Sequence, residues 1–120
     1  MRAFLVLILT LTLATPLSAQ TLCRFETECF EGEACAPSSF EMRLSLPETQ
    51  ATVTSRLVAE TDAGSFPGYA LRGGPERRQF FFDAESAGYM LTLNGAEARL
   101  AVHIDEGPLM VNYIGTCEAE

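Results

Sequence analysis

The chain has 120 residues, a net charge of −8 at pH 7 and 48% hydrophobic residues, and all eight of its basic side chains are arginine, set against sixteen acids. So acidic a chain lacks the basic patches that nucleic acid and anionic lipid require. The absence of lysine excludes Schiff-base chemistry and lysine-based phosphate loops.

The first nineteen residues have the anatomy of a cleavable secretory signal. Arg2 gives a positive start, an apolar run follows from Phe4 to Leu13, and Pro16-Leu17-Ser18-Ala19 ends in a small residue. We therefore expect residues 1–19 to be removed and residues 20–120 to fold as one domain. Loss of Arg2 takes the net charge from −8 to −9. The apolar run is far shorter than the roughly 20 residues that span a bilayer. Gln20 stands where a lipidated cysteine would have to follow the signal, and Cys23 comes three residues too late. The expectation is a monomer of the periplasm or the medium, without membrane insertion.

Residues 20–37 carry Cys23, Cys29 and Cys35 among Glu26, Glu28, Glu31 and Glu33. No clean period runs through this segment, which reads as irregular, with a short strand near residues 22–25. In Phe40-Glu41-Met42-Arg43-Leu44-Ser45-Leu46 apolar and polar residues alternate, the period of a strand with one buried face. Pro47, which has no N–H for a ladder, ends it. A weaker β-branched strand is expected over residues 51–59. Residues 61–75 hold four glycines and two prolines and read as mostly turn, with a short strand at 69–71.

The C-terminal part reads as a meander. Strands at 79–82 and 88–93 are joined by a polar turn. Asn94-Gly95 is expected to supply a type I′ hairpin turn into a strand over 96–104. There Ala98, Leu100, Val102 and Ile104 share one face, and Glu97, Arg99, Ala101 and His103 the other. Asp105-Glu106-Gly107-Pro108 makes the next turn, before a last strand at 109–114. The fold class expected is all-β: a small antiparallel meander of six or seven short strands, closing into a disulfide-stapled barrel or sandwich. A barrel has the advantage that closure removes exposed edges.

Four cysteines allow three pairings. An exported chain favours disulfides over metal ligation, and the five-residue gaps between the first three cysteines do not suit zinc. The favoured pairs are Cys29–Cys35, a local loop, and Cys23–Cys117, a clasp across the domain. No Cys-x-x-Cys occurs, so a redox role is not expected. His103, the one histidine, falls on the outer face of its strand, and no serine lies in a nucleophile elbow. The clustered glutamates lack the spacing of a calcium loop. We expect no catalytic residue, cofactor or metal. The candidate partner contacts are Phe81, flanked by Arg77 and Arg78, together with Phe66 and Tyr69 in the glycine- and proline-rich stretch. The partner expected is an unidentified protein, of basic character to suit the acidic surface.

The signal, the mature length, the terminal cysteines and the antiparallel pattern are similar to the periplasmic inhibitors of C-type lysozyme. Those inhibitors block the enzyme with a Ser-Gly-Ser-Gly-x-x-Tyr-like strand and loop. Ser86-Ala87-Gly88-Tyr89 is the nearest stretch here; it lacks the first Ser-Gly and spaces the tyrosine differently. The functional expectation is thus a non-catalytic exported binding or envelope-associated protein, with inhibition of a secreted hydrolase such as lysozyme as the alternative.

Overall fold

The computed structural model describes residues 20–45, 56–72, 74 and 76–120. The expected signal, the stop at Pro47 and residues 51–55 of the second expected strand lie outside the described residues. Eight strands run in chain order: β1 (Gln20–Phe30), β2 (Ala36–Ser45), β3 (Arg56–Thr61), β4 (Gly64–Arg72), β5 (Arg77–Asp83), β6 (Ala87–Asn94), β7 (Glu97–Ile104) and β8 (Leu109–Ala119). Each pairs antiparallel with the next, and β8 returns to β1, closing the barrel. An eight-stranded barrel is just narrow enough for side chains to fill it. Here Met42, Leu44, Phe80, Phe82, Leu91 and Leu100 do so, each at most 1% exposed.

The barrel has eight strands against the six or seven expected, and two of them, β1 and β4, are longer than expected because their segments hide their period. β1 carries a bulge between Phe25 and Thr27. Before it Cys23 and Phe25 face the interior. After it the parity flips, so that Glu28 stands opposite Tyr113 and Phe30 opposite Val111, both inward-facing residues. An extra residue in one strand does this wherever it occurs. The acidic segment is therefore strand through residue 30, not irregular chain.

β4 is the other departure: the stretch expected to be mostly turn is a nine-residue strand containing Pro67. Gly68 suits it, because a Cβ there would collide with the Phe81 carbonyl and the Phe82 ring on β5. The β6–β7 hairpin also turns one residue later than expected. Asn94 pairs with Glu97, leaving Gly95 and Ala96 as the two-residue loop. Gly95 has φ 59° and is the one residue of that loop with positive φ, the pattern of a type II′ turn.

The disulfides join Cys23 to Cys117 and Cys29 to Cys35, the pairing expected from the sequence. The first bridges directly opposed residues of β1 and β8. Beside it Arg43 grips Glu120 through two hydrogen bonds of 3.0 and 2.9 Å, and Arg24 meets Glu41 and Glu118. These ion pairs are exposed, so they add little beside the covalent clasp.

Gly115 marks the tightest point of the same seam. It lies opposite Phe25 on β1 and Ala98 on β7, and a Cβ there would overlap the backbone of Arg24 and Phe25. Gly115→Ala should therefore cost on the order of 1–3 kcal/mol, by forcing β1 and β8 apart. A urea midpoint equal to that of the parent would show that the seam is looser than this.

Candidate functional site

The hairpin turns divide between the two ends of the barrel. One end carries the β1–β2 connection, stapled by Cys29–Cys35, and the β3–β4, β5–β6 and β7–β8 turns. At the other end lie the start of β1, the end of β8, the ends of β2, β4 and β6 and the starts of β3, β5 and β7. The interior is unevenly filled along this axis. At the first end the core gives way to the half-buried Phe40, Phe66, Ala87, Tyr89, Ile104 and Tyr113.

These side chains form two aromatic groups. Phe40 and Tyr113 lie with ring centroids 4.9 Å apart, and both contact the buried Phe25 at 5.8 and 5.9 Å. Phe66 meets Tyr89 edge-on at 5.5 Å. Such separations and tilts are those at which aromatic rings attract beyond simple area burial. Two cavities open among them. One, of about 230 Å³, is bounded by Phe30, Phe40, Tyr89, Val102 and Tyr113. The other, of about 620 Å³, lies between the β3–β4 and β5–β6 turns against Phe66 and Tyr89. Ser86, Ala87 and Tyr89 line both, so the start of β6 divides the mouth in two.

A carboxylate joins the aromatic set. Glu28 stands opposite Tyr113 across β1 and β8. Burial, and then the hydrogen-bonding interaction with Glu28 and its negative charge, push the Tyr113 phenol well above its ordinary value. Burial alone raises Tyr89. For a phenol with a raised folded-state pKa, the unfolded chain ionises first. The associated stability is thus complete below about pH 10, the unfolded value, and is lost as pH rises through the folded value. A spectrophotometric titration should find Tyr89 and Tyr113 ionising later in the native chain than in urea. Coincident native and unfolded curves would contradict the partial burial of the mouth.

The rim above the aromatics is uniformly acidic. Glu31 and Glu33 lie in the β1–β2 connection, Asp62 in the β3–β4 turn, Asp83 and Glu85 around the β5–β6 turn, and Asp105 and Glu106 in the β7–β8 turn. All are exposed. No arginine occurs in those four connections; every arginine of residues 20–120 lies in the strand half nearer the other end. The molecule is therefore electrostatically polar along the barrel axis.

The candidate contacts from the sequence are not brought together. Phe66 belongs to the mouth. Tyr69 and Phe81 are neighbours on the outer surface, with ring centroids 5.9 Å apart. There Phe81 lies over Gly88, where even a Cβ would come within 3.2 Å of its ring. Arg77 and Arg78 stand at the start of β5, at the opposite end. His103 is exposed on the outer face, opposite Met110. The mouth itself was missed. Its residues come from six strands, and no one segment announces them; the hint was the inward parity of Phe40, Tyr89 and Ile104 near strand ends.

Among the described residues no group of three or more His, Cys, Asp or Glu side chains is arranged to hold a metal ion. No helix among them is long and apolar enough to cross a membrane. Comparison with protein-family models, with curated proteins and with solved structures finds no match to the chain.

Proposed function

We propose that the chain is a non-catalytic exported binding protein that receives a guest group in its aromatic mouth. The observation that carries this reading is the contrast between the two parts of one barrel interior. Most of it is filled to exclusion of solvent, yet at one end Phe40, Phe66, Tyr89 and Tyr113 remain partly open around cavities. Leaving large rings unburied forgoes about 25 cal/mol for each Å² of apolar surface. Concave apolar surface with a few polar groups, carried at the turn-bearing end of a rigid scaffold, is the usual form of a binding site. Export is supported by the signal-like start, and the two disulfides are compatible with an oxidising compartment.

The test is a titration of the purified exported chain with benzyl alcohol, a neutral aromatic probe, followed by amide chemical shifts. Shifts are expected in residues 86–89, 102–104 and 111–113. Shifts confined to the outer face around Tyr69 and Met90, or none at millimolar probe, would reject the reading.

One observation favours the alternative, an inhibitor of a secreted hydrolase such as lysozyme. Ser86 and Tyr89, of the stretch compared with the inhibitors' blocking segment, line the mouth instead of lying on the barrel wall. A panel of lysozymes and proteases assayed with micromolar protein tests it. Undiminished turnover across the panel removes that alternative.

A further inference from the structure

The chemistry of the mouth specifies the kind of guest, given that the mouth binds one as proposed. Aromatic faces carry a negative quadrupole and attract cations lying within about 6 Å. Phe40, Tyr89 and Tyr113 line one cavity together. Glu28 adds a carboxylate on the neighbouring strand, directly opposite Tyr113 in the register. Beyond the cavity the exposed rim is acidic at all four connections and carries no arginine. Two independent features, the lining and the rim, therefore favour the same sign of charge.

The extent of the rim argues for the size of the guest's carrier. A small free cation would need only the cavity lining, whereas the acids span every turn at that end. They would complement a broad basic surface, steering its approach and excluding acidic competitors. Arginine suits the cavity best in chemistry, since its flat guanidinium stacks on aromatic rings while donating to a carboxylate.

We infer that the mouth is a docking site for a basic protein partner, which inserts one arginine side chain into the cavity lined by Phe40, Tyr89 and Tyr113, on the side where Glu28 stands opposite Tyr113. The acids at the four turns receive the positively charged surface around that side chain. Phe81 and Tyr69, on the outer face, take no part.

Two blocked peptides test this: acetyl-Gly-Gly-Arg-Arg-Gly-Gly-amide, and its counterpart with both arginines replaced by uncharged citrulline. Binding is followed by amide shifts of the whole exported chain. The arginine peptide should perturb residues 86–89 and 111–113, and the citrulline peptide should bind at least about tenfold more weakly. High salt should weaken the arginine peptide. Glu28→Gln should weaken it several-fold, whereas Phe81→Ala should leave it unchanged; an unaltered amide spectrum away from the mouth certifies that each variant is folded.

Equal affinity for the two peptides would overturn the inference, as would tighter binding of tetramethylammonium, which would make the guest a free small cation. If benzyl alcohol binds at the mouth and the arginine peptide does not, the cationic guest falls and the binding reading stands. If neither binds at millimolar concentration, both fall.

Discussion

Replacing Cys23 and Cys117 together by alanine should lower stability by about 4–5 kcal/mol, close to half the total of many small domains. The two cysteines are 94 residues apart, and in the chain-entropy model the gain grows with the logarithm of the loop closed. They also fasten β1 to β8, the one pairing in the barrel between strands that are not consecutive in the chain. Every other pairing joins strands that are consecutive in the chain, so this seam bears the largest closure cost. The corresponding loss for Cys29 and Cys35, only six residues apart, should be about 2 kcal/mol. Guanidinium midpoints of the two double variants measure the difference. Equal losses would mean that the long clasp does not constrain the unfolded chain as supposed.

The second large effect should come from the run Phe80-Phe81-Phe82. Phe80 and Phe82 are fully buried in the barrel, with ring centroids 6.4 Å apart. Phe80→Ala should cost about 3–5 kcal/mol, by lost transfer energy and the cavity left behind. Phe81 faces outward, resting on Gly88 beside Tyr69. Its removal should cost about 1 kcal/mol, the scale of a cross-strand surface pair. Three consecutive phenylalanines should thus give a large, a small and a large loss when replaced singly. A Phe81→Ala loss as great as that of Phe80→Ala would put β5 in the wrong register.

The same parity explains what the sequence could reveal. Where alternation was unbroken, as in Met42 and Leu44 or Ala98, Leu100 and Val102, buried faces were readable, and those residues do fill the barrel. The two disulfides are legible in the signal-like start and the cysteine spacing. β1 is legible only near residues 22–25, because the bulge at Phe25 and Thr27 reverses its inward face midway, leaving a pattern with no single period. β4 was obscured by Gly64, Pro67 and Gly68, which signal a turn locally but are accommodated by neighbouring strands. The hairpin after β6 shifted by one residue because Gly95 can take positive φ at either central position of a primed turn.

The mouth was less legible for a different reason. Phe40, Phe66, Tyr89 and Tyr113 are far apart in sequence, and only closure of the barrel brings them to one end. Glu28 reads in sequence as one of several solvated acids; the bulge alone turns it toward Tyr113. The acidic rim, likewise, is invisible until alternate turns are seen to share an end. Phe81 with Arg77 and Arg78 forms a dense cluster in the sequence, yet strand geometry separates its members between the outer face and the far end.

The most direct measurement of the central claim is paramagnetic broadening of amide signals by a spin-labelled arginine peptide. Broadening centred on residues 84–89 and 104–113, fading toward the Cys23–Cys117 end, is the result this account predicts. Broadening centred on Tyr69, Phe81 and Met90, or on the arginine-bearing end near Arg77, would contradict it.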